Sequence, residues 1–151
     1  MFKIYFPKKL LDKNNRSEIF PLLKPFIKSS NYSDNQRLKD YGVSQSDFLL
    51  LDNIDNSELV ILPMSWNYYV KNNLLENVDY FINKHFNKKI VSFISGDFGV
   101  KVSNYSNVYV IRQNGYNSKL QKNHFGMPVF IKDPLLTHFG NKKSFEIQYS
   151  K

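Results

Sequence analysis

The apolar run at residues 89–94, KIVSFI, constrains the fold of this chain more than any other feature. Apolar residues fill nearly every position, without the alternation of a strand that has one face in water. A strand that is apolar on both sides suits a parallel sheet, because helices cover both faces of such a sheet. The run therefore predicts a buried parallel strand, and the loop SGDFG follows it directly.

Other short segments predict the remaining strands. They are apolar and rich in β-prone residues, and two of them stop at a proline, Pro7 or Pro63. Proline cannot donate the backbone hydrogen bond that would continue a strand. We expect strands at residues 2–6, 59–62, 107–111 and 128–131, and residues 48–51 form a further short apolar run.

Two segments predict helices. Residues 66–87 form the stronger case, because apolar residues recur there every four positions, at Val70, Leu74, Val78, Ile82 and Phe86. The weaker case lies at residues 17–28, where Ser17 suits an N-cap and Pro25 would kink or end the helix.

The alternation of strands and helices predicts an α/β fold. We expect a Rossmann-like three-layer domain with a mostly parallel sheet of about four to five strands. The length of 151 residues fits one domain, residues 1–151, and the 42% hydrophobic content is enough for a core.

Several kinds of chemistry are excluded or disfavoured by composition. The chain has no cysteine, which excludes disulfides, cysteine zinc sites and a thiol nucleophile. The histidines His85, His124 and His138 lack metal-ligand spacing, and no phosphate-binding glycine loop or nucleophile elbow is found. We therefore expect neither a metal nor a cofactor.

The net charge of +8 raises the question of an acidic partner such as nucleic acid. The lysines are scattered, however, which favours a solvated basic surface over a nucleic-acid-binding face. No signal peptide or membrane-spanning run is found, so we expect a cytoplasmic protein, either free or peripheral at the inner membrane.

Polar and aromatic residues follow the predicted strands, at the edge where parallel α/β sheets bind ligands. Trp66 in PMSWNYY suits an aromatic platform for a sugar or base; the alternative is a core Trp66 behind an N-cap at Ser65. Asp97 in SGDFG suits a ligand-binding carboxylate or a base, or else a simple turn. RQNGYNSK suits an anion site through Arg112 and Lys119, or else a surface turn.

The order of these segments resembles the amino-terminal half of bacterial exostosin-like glycosyltransferases. The resemblance rests on ELVILP before an aromatic loop, a strand leading to the G-D loop, R-x-x-G-Y-x-S, and P-x-F-x-x-D-P, and it covers residues 47–136. Each piece alone is common, so these motifs are moderately specific.

The resemblance implies a GT-B-type enzyme, in which two Rossmann-like domains face a cleft. This chain would be the acceptor-side half, with a glycan acceptor as its partner, and the donor-binding half would be a missing or separate domain. We would then expect it to be inactive alone in transfer of a sugar from a nucleotide-sugar. Asp97 is the candidate catalytic residue. The candidate substrate-binding residues are Trp66, Asn67, Tyr68, Arg112, Tyr116, Asn117, Ser118, Lys119 and Asp133.

Two other classes stay open on sequence grounds. A small basic nucleic-acid-binding or accessory module would explain the charge and the aromatic content. A flavodoxin-like or receiver-like signalling domain is disfavoured, because Pro7, Lys8 and Lys9 stand where a receiver needs acidic residues.

Overall fold

A single six-stranded sheet organises the protein. The structure is a computed structural model and describes residues 1–27, 43–96, 100–112 and 120–126. All five strand pairings are parallel, in the order β2-β1-β3-β4-β5-β6. The strands are β1 (Phe2–Tyr5), β2 (Phe48–Leu50), β3 (Leu59–Ile61), β4 (Ile90–Ile94), β5 (Val108–Arg112) and β6 (His124–Gly126).

Two α-helices and four short 3-10 helices accompany the sheet in the described segments. The α-helices are α1 (Trp66–Lys71) and α2 (Leu75–Lys84), and the 3-10 helices are Lys8–Leu10, Arg16–Glu18, Pro21–Phe26 and Gln45–Asp47. The predicted Rossmann-like α/β arrangement is confirmed, with a sheet wider than the predicted four to five strands. None of the helices described is both long and apolar enough to cross a membrane.

Four of the strands lie close to the predicted positions, β2 forms from the short apolar run at residues 48–51, and β6 was missed. Its three residues, HFG, include a histidine and a glycine and show no apolar run. They pair with β5, with His124 opposite Val110, and form the last strand of the sheet that the described residues build. A strand of three residues with no apolar run depends on its neighbour, so the local sequence does not reveal it. The strand predicted at residues 128–131 lies outside the described residues.

The predicted helix at residues 66–87 is interrupted. α1 ends at Lys71, and Asn73 takes a left-handed backbone conformation with φ of 56° before α2 begins. Asparagine tolerates this conformation better than most residues. The buried part of the stripe lies within α2, at Val78 and Ile82. Phe86 lies beyond the end of α2 and is 75% exposed.

The α-helix predicted at residues 17–28 was wrong, since the segment forms two 3-10 helices instead. Pro21 opens the second of them and Pro25 lies inside it. Neither proline has a backbone N–H, and an internal proline ring clashes with the preceding turn of an α-helix. Ser17 lies within the first 3-10 helix rather than capping it.

Opposite faces of the sheet are covered by different segments. Phe20, in the segment after β1, packs edge-on against Phe93 of β4 with ring centroids 5.1 Å apart. Tyr5 lies on the other face, together with Ile90, as the register of β1, β3 and β4 requires. Tyr5 and α2 line a common cleft, so α2 covers the face opposite Phe20. These are the three layers of the fold.

The chain reverses its direction along the sheet at β1. It runs from β1 to β2 on one side and returns to β3 on the other side of β1. In doubly wound sheets, including those with the flavodoxin-like strand order seen here, ligands bind at such a switch point, beyond the carboxyl ends of the strands. The segments that follow β1 and β3 are therefore the first place to look for a site.

Candidate ligand-binding site at the carboxyl edge of the sheet

The segments after β1 and β3 are joined by backbone hydrogen bonds at this edge. Phe20 N donates to Pro63 O at 2.8 Å, and Ser65 N donates to Glu18 O at 2.8 Å. Between these bonds, Ile19 forms an antiparallel bridge with Met64. The pairing fixes the 3-10 helix that carries Glu18 beside the start of α1.

The carboxylate of Glu18 lies at the centre of the cluster. Its Oε2 accepts a hydrogen bond from Ser65 Oγ and another from Ser95 Oγ, the latter at 3.2 Å. Ser65 is fully buried, and its Oγ also accepts from Tyr68 N at 3.0 Å, which makes it the N-cap of α1. Glu18 Oε1 accepts no hydrogen bond from the described residues.

Asn67 connects the first turn of α1 to the end of β4. Its Oδ1 accepts from Ser95 N at 3.1 Å. Gly96 follows with φ of 75°, a backbone conformation that residues with a side chain rarely adopt. Ser95 is thus held at its backbone by Asn67 and at its hydroxyl by Glu18.

A second carboxylate, Asp12, contacts the same turn of α1. Tyr68 donates its hydroxyl to Asp12 Oδ2 at 2.7 Å, and Asn15 Nδ2 donates to the same oxygen. The hydrogen bonds from Asn15 and Tyr68, with one from the Asn14 backbone, lower the pKa of Asp12. The hydrogen bond to Asp12 raises the pKa of Tyr68, so at neutral pH a phenol faces a carboxylate.

Trp66 lies in the core, as the alternative interpretation of PMSWNYY proposed. Its side chain is 1% exposed, and it packs near Tyr105 with ring centroids 6.2 Å apart. A sugar can stack only on an exposed ring face, so Trp66 offers no platform. Tyr69 is also fully buried, with its hydroxyl accepting from Met64 N at 3.1 Å, and burial raises the pKa of that hydroxyl.

Arg112 ends β5 and points away from the Glu18 cluster. It pairs in register with Ile94 of β4, which lies on the face opposite Phe93. Arg112 is half-buried. The pKa of His124 is lowered, chiefly by the burial of His124 and also by the charge of Arg112. The structure therefore brings Asn67 and Tyr68 together and leaves Arg112 on the other face.

The other predicted site residues lie outside the described residues. They are Asp97, Tyr116, Asn117, Ser118, Lys119 and Asp133. Asp12 and Glu18 were missed. The sequence held a signal for both, because ligands of parallel α/β sheets bind beyond the carboxyl ends of the strands and both residues lie in the segment after β1. The sequence prediction considered that segment only as far as Lys9.

The cluster has the chemistry of a hydroxyl-binding site. It presents two carboxylates, an amide and a phenol, which can accept from and donate to a polar ligand. Within the segments described, no three His, Cys, Asp or Glu side chains group to hold a metal ion. No protein-family model matches this chain, and searches of curated proteins and of solved structures find no match. The geometry of this site is therefore the evidence for the function of the protein.

Proposed function

We propose that this chain is the acceptor-side domain of a GT-B-type, exostosin-like glycosyltransferase, and that it binds hydroxyl groups of a glycan acceptor at the carboxyl edge of its sheet. One observation carries the proposal. The carboxylates of Asp12 and Glu18 both contact the first turn of α1, at the switch point of a parallel sheet.

Carboxylates recognise sugars because each oxygen can accept hydrogen bonds from hydroxyl groups, and such charge-assisted bonds are strong. Glu18 already accepts hydrogen bonds from two protein hydroxyls through Oε2, and its Oε1 accepts none from the described residues. The proposal assigns Oε1 to a hydroxyl of the glycan. Asn67 lies half-buried beside it, with a side-chain amide that can donate. The site is therefore suited to a neutral ligand rich in hydroxyl groups.

Under this proposal the donor nucleotide-sugar is bound by a second domain, as in the resembling enzymes. Asp97 keeps its predicted role as a hydroxyl acceptor or a base, since it follows Gly96 in the chain. The 151-residue chain would bind an acceptor without transferring sugar to it.

The test measures glycan binding by the chain, using saturation-transfer NMR with a panel of mono- and oligosaccharides. We expect Glu18→Gln to weaken binding of any glycan that the unaltered chain binds by about tenfold, because the hydrogen-bond acceptor at position 18 loses its negative charge. Glu76→Gln is the matched control, since Glu76 is exposed in the first turn of α2. Absence of binding to every glycan, or equal binding by folded Glu18→Gln, would contradict the proposal.

The alternative is a basic nucleic-acid-binding module, which the net charge of +8 supports. It predicts binding to single- or double-stranded nucleic acid that weakens steeply as the salt concentration rises, because bound lysines displace counterions from the phosphates. A salt titration on the same preparation separates the two functions. Binding of a neutral glycan should barely depend on salt.

A further inference from the structure

A second concave site lies on the other face of the sheet from the Glu18 cluster. It is a cleft of about 660 Å³ between α2 and the segments that follow β1 and β2. This volume falls in the range of small-molecule sites. Its lining consists of Tyr5, Pro7, Lys8, Lys9, Leu10, Asp52, Asn77, Tyr80, Phe81, Lys84 and His85.

The charged side chains of this α2 cleft favour an anion. Three lysines and one aspartate line it. Lys8 is neutralised by Asp52, with 2.6 Å between Nζ and Oδ1. Lys9 and Lys84 have no carboxylate partner among the described residues, so their charges are open to a ligand. The pKa of His85 is lowered, chiefly by burial and also by the charge of Lys84. The positive charge of the cleft therefore comes from its lysines.

The apolar part of the α2 cleft favours a ring. Tyr5, Tyr80 and Phe81 line it, and the side chain of Tyr80 is 69% exposed. An exposed tyrosine ring beside a half-buried phenylalanine can pack against a planar group. Lysine ammonium groups bind phosphate as point charges. The cleft thus combines two kinds of contact that one small molecule could satisfy.

We propose that the α2 cleft binds a small phosphorylated molecule with an aromatic ring, the phosphate lying near Lys9 and Lys84 and the ring near Tyr80. The site shares no residue with the Glu18 cluster, and the inference is independent of the proposed glycan function.

The binding test compares phenyl phosphate, inorganic phosphate and phenol by NMR titration of the 151-residue chain. We expect phenyl phosphate to bind at least about tenfold more tightly than either fragment, because only it makes both kinds of contact. Equal affinity for inorganic phosphate would overturn the ring contact, and equal affinity for phenol would overturn the anion site.

Variants locate the site. Lys84→Gln and Tyr80→Ala should each weaken phenyl phosphate binding by about three- to tenfold. Their matched controls, Lys71→Gln and Phe86→Ala, change exposed residues outside the cleft and should leave the affinity for phenyl phosphate unchanged. If variants and controls behave alike, the proposal fails.

A gain-of-function variant guards against misfolding as an explanation. Asp52 is 90% exposed in its side chain, and Asp52→Asn would release Lys8 for the ligand. We expect it to tighten phenyl phosphate binding by about threefold at low salt. Glu58→Gln, which removes one exposed negative charge outside the cleft, should change binding less. Unchanged or weaker binding by Asp52→Asn would contradict the assigned role of the lysines.

Discussion

Glu18 and Ser95 are separated by 77 positions in the chain, yet Ser95 Oγ donates to Glu18 Oε2 across 3.2 Å. The contact joins the segment that follows β1 to the residue that follows β4, although β3 lies between these strands in the sheet. Ser65, at the start of α1, donates to the same oxygen. One carboxylate thus holds together the ends of three strands.

Removal of this carboxylate should destabilise the protein. Glu18→Ala leaves the buried Ser65 hydroxyl without its acceptor, and we expect a loss of about 1–3 kcal/mol in the free energy of unfolding. Glu18→Gln keeps an acceptor and should lose less. Urea unfolding of both variants measures this. A loss below about 0.5 kcal/mol for Glu18→Ala would show that the cluster contributes little to stability.

Stability at acid pH should depend on Asp12. Its pKa in the folded protein lies below the ordinary value of 3.8, chiefly because Asn15 and Tyr68 donate to the carboxylate. A depressed carboxyl pKa stabilises the fold above the unfolded-state pKa, and this contribution is lost as pH falls through the folded-state pKa. Asp12→Asn should therefore destabilise the protein at neutral pH, and this difference should shrink as pH falls below 3.8 and through the folded-state pKa.

Unfolding curves at several pH values measure this dependence. Tyr68→Phe removes one of the hydrogen bonds to Asp12 and should show a smaller effect of the same sign. If Asp12→Asn and the unaltered protein differ by the same amount at every pH, the contact between Asp12 and Tyr68 does not perturb the carboxylate.

Ile82 and Phe86 belong to one apolar stripe in the sequence but differ in the structure. Ile82 is 1% exposed and Phe86 is 75% exposed. We expect Ile82→Ala to lower the free energy of unfolding by about 2–5 kcal/mol, because it leaves a cavity in the core. Phe86→Ala should change it by less than about 0.5 kcal/mol. Thermal or urea unfolding separates the two, and a large loss at Phe86 would contradict the end of α2 at Lys84.

The left-handed backbone at Asn73 gives a further test of the break between α1 and α2. Asn73→Ala should lower the free energy of unfolding by about 1 kcal/mol. Alanine disfavours the φ of 56° at this position, because it lacks the polar side chain with which asparagine stabilises a left-handed backbone. Asn73→Gly should be neutral or stabilising, since glycine adopts this conformation readily. Asn83→Ala, inside α2, is the control and should be neutral or slightly stabilising. A continuous helix would reverse the order of the alanine and glycine variants at Asn73.

The local pattern of apolar residues was enough to predict most of the sheet. The run at residues 89–94 became β4, with Ile90, Ser92, Phe93 and Ile94 buried. A strand buried on both faces must be apolar at nearly every position, so burial leaves a direct trace in the sequence. β6 left no such trace, since among the described residues it pairs with β5 alone and it is largely exposed.

The residues of the candidate site were only partly predictable. Asn67 and Tyr68 lie beyond the carboxyl end of β3, where their place in the sequence predicts them, and their role in binding a substrate stays a prediction. Trp66, in the same motif, is turned into the core, since successive residues of a helix point in different directions. No rule applied to single residues distinguishes these three neighbours.

By itself the sequence determined the α/β class, the places of four strands and the edge at which polar residues collect. Each of these follows from local patterns of burial and turn chemistry. Only the tertiary structure decided that Asp12 and Glu18 meet the first turn of α1, and that Ser95 reaches Glu18. These contacts depend on the order and register of strands that are distant in the chain, and hydrogen bonds between distant polar side chains impose no periodicity on the sequence.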